Sequence, residues 1–440
     1  MKVTLVSLGC PKNQVDSDII AHGLLKAGHT TTADMTEADV CVINTCGFIT
    51  SAKEEAIENI FNAVGARLEN PKLKIVVTGC LAERYKDEIM ADIPEVDAVV
   101  GIGAHDKLLD VMESVTKGEK LSCYGPKTNL DITKKRIIST PRHYAYLKIA
   151  EGCSNGCYYC AIPLIRGPHR SRPMESCIEE AKWLAEEGVR EIIVVAQDIT
   201  RYGEDIYKEN KLAELVTEIS KIDGIDWIRL MYAYPERLGD DVIDVIATNP
   251  KVLHYLDLPI QHINDRVLKS MNRKGGTDII MSAINRLRAK VPDISIRTSL
   301  ITGYPGETEE EFQQLYDFVK DIKLERLGCF AYSEEEGTYS AKHYKDDIDN
   351  DTKQNRLSKL MRVQQNISAE IEAEKVGSIM QIVIDRKEGE YYIGRTEFSS
   401  PEVDPEVLIP VAERTLRKGC FYNVRITSAE EFDLYATTNI

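Results

Sequence analysis

Short apolar runs alternate with stretches of helical spacing over most of this chain, and that alternation restricts it to folds built on parallel sheets. Residues 1–123 carry the first series. "KVTLVSLG" ends at Gly9, and "VDSDIIAHGLLKAG" follows at helical spacing, with Asp16 or Ser17 as the expected cap and Gly28 as the stop. "ADVCVINT", "KLKIVVTG" and "DAVVGIG" are the next strands, with "SAKEEAIENIFNAVGARL" and "HDKLLDVMESVTKG" as the helices among them. A doubly wound parallel sheet is expected. Residues 124–141, "YGPKTNLDITKKRIISTP", have no periodicity and carry turn residues, which marks a linker.

The alternation resumes over residues 142–373. "AYLKIA", "EIIVVAQ", "WIRLMYAY", "YLDLPIQ", "SIRTSLITG" and "LGCFAYS" are six strand candidates, separated mostly by helices such as "TEEEFQQLYDFVKDI". Six consecutive units predict a partial (βα)6 barrel with its site at the carboxyl ends of the strands. Residues 350–374 then read as one long helix that keeps Leu357, Leu360, Met361, Ile367 and Ile371 on roughly one face. Beyond Gly377 the runs shorten and turns divide them, so residues 374–440 are expected to form a small all-β barrel.

With 55 Lys and Arg against 71 Asp and Glu, the chain carries −16, which argues against a broad phosphate-binding surface. No apolar run reaches the ~20 residues of a membrane span, and no signal-peptide pattern opens the chain. A cytoplasmic protein is expected. There, eleven cysteines are metal-bound, catalytic or simply reduced rather than paired in disulfides.

Three of them, Cys153, Cys157 and Cys160, lie in "EGCSNGCYYC", directly after the first strand of the six. A cubane iron–sulfur cluster takes one thiolate per iron, so three thiolates leave one iron open to a ligand. Structural zinc, with His169 as the fourth ligand, and buried unligated thiols are the alternatives. Cys10, Cys46 and Cys80 are spaced by 36 and 34 residues, and each ends a predicted strand. One strand–helix unit separates each pair, so all three emerge at one carboxyl edge. Small buried residues at strand ends are the competing reading. Cys41, Cys123, Cys177, Cys329 and Cys420 show no ligand spacing and are read as structural.

The C-x3-C-x2-C stretch, with Tyr159 before its last cysteine, resembles the signature of radical S-adenosylmethionine enzymes. The resemblance implies a 4Fe-4S cluster whose open iron chelates S-adenosylmethionine, and reductive cleavage of that cofactor to a 5′-deoxyadenosyl radical. It also places Tyr159, Arg297 with Thr298, and the turn from Gly303 near the cofactor, while Gln197 and Asp198 are cofactor candidates from their place at a strand end facing the cluster. A capping Asp and an ordinary Pro-Gly turn are the plainer readings of Asp198 and Gly303.

The three widely spaced cysteines, the partial barrel and a terminal β-barrel of the TRAM kind together resemble the methylthiotransferases. That resemblance covers essentially the whole chain and implies a second 4Fe-4S cluster on Cys10, Cys46 and Cys80. "SLGCPKNQVDSD", "AIPLIRGPHRSRP", "AQDITRYGED", "LDLPIQHIND" and "GRTEFSSPEVD" are similar to the RimO type. The implied substrate is the β-carbon of an aspartate in small-subunit ribosomal protein S-twelve. The implied partners are an electron donor such as a flavodoxin and a sulfur donor that the sequence does not name. Residues 374–440 hold eight Lys and Arg against twelve Asp and Glu, a balance that suits a basic protein partner better than tRNA. Arg170, Arg172, Gln261 and His262 are the substrate-binding candidates, with a structural role the alternative for His262. A tRNA adenosine methylthiotransferase and a non-catalytic iron–sulfur sensor are the competing functions.

Overall fold

A computed structural model describes residues 1–440. The amino-terminal sheet has six parallel strands in the spatial order Thr30–Thr31, Lys2–Ser7, Val40–Thr45, Lys74–Gly79, Ala98–Val100 and Leu121–Cys123. The order reverses between the second and third of these, which is the switch point where folds of this kind bind ligands. The short edge strands Thr30–Thr31 and Leu121–Cys123 have too few residues to show a period. Apolar clusters cover both faces of the sheet, one holding Ile60, Ile75 and Val77, the other Leu24, Val76 and Met112. That two-sided burial is why its strands read as continuous apolar runs.

The first helix starts at Pro11, with Cys10 as its N-cap, nearly two turns earlier than the expected cap at Asp16 or Ser17. Pro11 explains the difference: its fixed φ suits the first helical position, and its missing N–H costs nothing there. Asp16 and Ser17 are instead buried contact residues inside the helix.

The six expected barrel strands are Tyr144–Lys148, Glu191–Val195, Trp227–Leu230, Val252–Asp257, Ser295–Thr302 and Arg326–Ala331. They lie side by side in sequence order, all parallel, as an open sheet. Residues alternate between its faces. Ala145, Leu147, Ile192 and Val194 pack under the helices, while Tyr144, Tyr146, Ile193, Val195, Trp227 and Tyr255 line the other face. Val15 of the first helix and Val383 of the terminal barrel close onto that second face. The helix Asn350–Glu374 buries Leu360 and Ile367 against the outer core.

Residues 379–437 form a closed five-stranded barrel. It is held to the open sheet by buried charge. Arg395 lies 2.6 Å from Glu191 and 2.8 Å from Asp385, ion pairs rather than aligned hydrogen bonds. Arg229 pairs with Glu191 at 2.8 Å and bonds the Glu397 carbonyl at 2.7 Å. The expected linker is strapped down: Arg136 reaches Asp18 at 2.9 Å, Glu180 at 2.7 Å and the Tyr146 carbonyl at 2.6 Å. No helix is long and apolar enough to cross a membrane.

Candidate active site

Strand register sets the first group of cysteines. Ser7 lies opposite Asn44 and Thr45 opposite Gly79, so the chain leaves three neighbouring strands at one level, at Cys10, Cys46 and Cys80. The exits are tight. A Cβ on Gly9, at φ +88°, would stand 2.6 Å from Cys46 Cβ, and one on Gly79, at φ +91°, would stand 2.7 Å from the Thr45 nitrogen. Gly79→Ala is therefore expected to cost roughly 1–3 kcal/mol of stability. Urea unfolding, with the iron content of the reconstituted variant, checks this.

The second group follows the short strand Ala150–Glu151, in a loop that the helix Ile162–Arg166 closes. Cys153 and Cys157 are buried and Cys160 partly so. The two groups meet across that helix. Arg166, six residues past Cys160, donates to Cys80 Sγ at 3.2 Å and to Asn13 Oδ1 at 3.0 Å. The same guanidinium pairs with Asp16 at 2.5 Å and Glu151 at 3.1 Å, and Lys148 joins the same two carboxylates. Across the mouth, Glu335 pairs with Lys53 at 3.0 Å and with Arg84.

Burial pushes the Cys80 thiol up to about 12, against the pull of Arg166, and the Cys153 thiol up to about 11. Burial also raises Cys46 and Cys160. Burial raises the structural thiols Cys41 and Cys177 in the same way, so the shift marks a dry site and the placement of the thiols is what groups them. No three His, Cys, Asp or Glu side chains converge tightly enough for a single ion. A cubane, with its thiolates on separate irons, takes ligands set wider than a mononuclear zinc does. His169 engages Ser171 Oγ through Nε2 at 3.1 Å, and its Nδ1 is buried without a partner.

The remaining candidates separate into two sets. Gln197 donates to Glu151 Oε1 at 3.1 Å, and its own Oε1 is buried without a partner. Tyr159 packs edge-on against Tyr304. Arg297 reaches Asp257 at 3.2 Å and Asp404 of the terminal barrel at 3.5 Å. Asp198 is a cap: its Oδ1 accepts from the Thr200 nitrogen at 2.9 Å, and its Oδ2 accepts from Asn155 at 2.8 Å. Gly303, at φ +70°, begins the turn before the helix Glu309–Ile322.

The substrate-binding candidates differ in how far the fold engages them. Arg172 is buried and committed to Glu180 at 2.5 Å, the Lys148 carbonyl and Ser176. Arg170 is spent on the carbonyls of Lys127, Thr128 and Leu130, tying down the linker. His262 is wholly buried, accepting from the Asn264 nitrogen at 3.0 Å and facing Glu307 at 3.4 Å. Gln261 spends its backbone on Ser299 and Ile301 at φ +71°. Position suggests these roles; the fold engages the side chains of Arg170, Arg172 and His262 and leaves that of Gln261 without a hydrogen bond.

Sequence reasoning passed over Arg166, Glu151, Arg273 and Lys12. Arg273 stacks on Tyr234 at 4.3 Å, with Nη1 buried and unpartnered, and the Tyr234 hydroxyl lies 4.0 Å from Cys157 Sγ. One signal was available for Lys12: a lysine in the first turn of a helix opposes the helix dipole.

Three family models match the chain: the radical SAM superfamily at residues 147–319, uncharacterized protein family UPF0004 at 2–101, and the TRAM domain at 376–438. The ribosomal protein uS12 methylthiotransferase RimO of Bacteroides thetaiotaomicron is 46% identical over 437 residues, covering 99% of this chain and 98% of its own. The protein of the same name from Acetivibrio thermocellus is 46% identical over 443 residues, covering 98% and 97%. This chain belongs to the RimO family. It is thereby a radical SAM methylthiotransferase. Among solved structures, the radical SAM methyltransferase TsrM of Kitasatospora setae aligns with a TM-score of 0.56 at 14% identity, over 74% of this chain and 72% of its own. The cobalamin-dependent radical enzyme OxsB aligns at 0.52 and 12% identity, over 82% of this chain and 56% of its own. At such identities the likeness is one of fold.

Proposed function

We propose that this protein methylthiolates the β-carbon of an aspartate in ribosomal protein uS12, with two 4Fe-4S clusters and S-adenosylmethionine. The observation that carries the reading is the meeting of two three-cysteine groups across Arg166, which bonds Cys80 from the helix that closes the Cys153–Cys160 loop. Cys153, Cys157 and Cys160 would hold one cluster with S-adenosylmethionine on its open iron, and Cys10, Cys46 and Cys80 the other. When bound, these groups supply the electron that cleaves S-adenosylmethionine and the sulfur that is transferred. An unactivated C–H bond is beyond any side-chain base, which is why the reaction needs them.

The chain's own residues orient the parts. Lys148 and Arg166 hold Glu151, whose Oε1 accepts from the Gly152 nitrogen at 3.0 Å and from Gln197 at 3.1 Å. The loop bearing Cys153 therefore leaves the sheet in one direction. Gln197 Oε1 and Arg273 Nη1, both buried and unpartnered, are free to meet the amino and carboxylate groups of S-adenosylmethionine. The acidic terminal barrel fits a basic ribosomal protein better than tRNA. A low-potential carrier such as a flavodoxin would deliver the electrons, in the cytoplasm.

The test is anaerobic. Reconstituted protein receives S-adenosylmethionine, a strong reductant, and either uS12 or adenosine-modified tRNA, and mass spectrometry follows one methylthio group. A gain on the uS12 aspartate is expected. A gain on tRNA overturns the substrate, and intact S-adenosylmethionine would mean a sensor rather than an enzyme.

A further inference from the structure

We propose that Lys12 binds the carboxylate of the substrate aspartate and so selects a protein carboxylate over other substrates; the assignment rests on the uS12 reading above. Three lysines are buried, Lys12, Lys148 and Lys353. Lys148 pairs with Asp16 and Glu151, and Lys353 pairs with Asp346 at 2.6 Å. Lys12, only 8% exposed, pairs with no carboxylate; its ammonium stands 3.4 Å from the centre of the Tyr232 ring. An aromatic face attracts a cation but supplies no counter-charge. A buried ammonium without a paired anion is costly; the neighbouring Cys10 is assigned to the cluster, so a second anion is needed to pair with Lys12 itself.

Its place says which anion. Lys12 lies two residues past Cys10, in the first turn of the helix Pro11–Lys26 at the carboxyl edge of the first sheet. Tyr232 follows the strand Trp227–Leu230 at the mouth of the open barrel. It is held at φ +70° with its nitrogen donating to Asp257 Oδ2 at 3.1 Å. The ammonium thus spans the gap between the two domains that carry the cysteine groups. In an aspartate side chain, Cβ is one bond from the carboxyl carbon. A carboxylate seated on Lys12 therefore holds the carbon to be modified beside Cys10.

The experiment is a double-mutant cycle on binding. The reconstituted full chain, wild type and Lys12→Met, is titrated with uS12 carrying either its aspartate or an asparagine in that place. Losing one partner of a buried charge pair should weaken binding by roughly thirtyfold or more. Wild type is expected to lose that factor on the asparagine form, and Lys12→Met to bind both forms equally weakly. Equal affinity of wild type for both forms overturns the proposal without needing any variant. So does a Lys12→Met protein that still prefers the aspartate form. The carboxylate of S-adenosylmethionine is the other possible source, so its affinity is measured on both proteins; a loss confined to the cofactor overturns the assignment. No binding of uS12 to wild type at all overturns the substrate reading itself.

Discussion

Cys80→Ala is expected to abolish methylthio transfer to uS12 while S-adenosylmethionine cleavage continues, and to lower reconstituted iron from about eight to about four atoms per chain. The two losses separate because the two cysteine groups belong to different sheets. Cys80 leaves the strand Lys74–Gly79 of the first sheet, and the Cys153 loop leaves the barrel. Removing Cys80 takes away one ligand, but Arg166 keeps Asp16, Glu151 and Asn13, and Glu151 keeps Lys148, Gly152 and Gln197. The radical site therefore stays ordered. Cys41→Ala is the control, because Cys41 is fully buried within its strand and its thiol faces the core rather than the strand end. Iron analysis, deoxyadenosine release and product mass check the three parts separately. Loss of deoxyadenosine release in Cys80→Ala would falsify the division of labour.

Arg395→Met is expected to lower the stability of the protein by about 3 kcal/mol, because it removes the guanidinium that two buried carboxylates share and leaves Glu191 with Arg229 alone and Asp385 with His143 alone. Glu191 and Asp385 both face Arg395, and Glu191 is 1% exposed. Burial alone would raise both carboxyls. For Glu191 the guanidiniums of Arg395 and Arg229 outweigh it, and for Asp385 Arg395 and His143 do, so both lie below their usual values of 4.5 and 3.8. The sign follows. A carboxyl depressed in the folded state adds stability that is complete above its unfolded pKa and lost as pH falls through the folded one. In Arg395→Met that depression is relieved, so the acid limb of the stability curve moves to higher pH. Urea midpoints between about pH 7 and about pH 3.5 read both effects. An unchanged midpoint at neutral pH would show that the terminal barrel does not depend on this ion pair.

Much of the architecture was legible because its signals are local. Strand and helix periods need only a few neighbouring residues. The apolar runs named all six barrel strands, and the spacing of Cys10, Cys46 and Cys80 followed from one strand–helix unit between each pair. The start of the first helix was misplaced by nearly two turns, since Asp and Ser are good caps wherever they occur. Only Pro11 pointed to the earlier start. The partners of Arg170, Arg172 and His262 were hidden for a different reason. Their positions near the cysteine loop or at a strand end looked free, but Glu180, the linker carbonyls and Glu307 had already taken them.

The sequence by itself determined the three-part architecture, the edge at which each cysteine group emerges, and the acidic character of the terminal barrel. Each of these depends on order and spacing along the chain. Tertiary structure alone decided which charges are spent and which are spare. Arg166 meets Cys80 across 86 residues of chain, and Lys148 meets Asp16 across 132. No local pattern encodes such pairs, because burial makes a charge depend on whichever segment packs against it. By the same rule Lys12, alone among the buried lysines, was left with a tyrosine ring and no carboxylate.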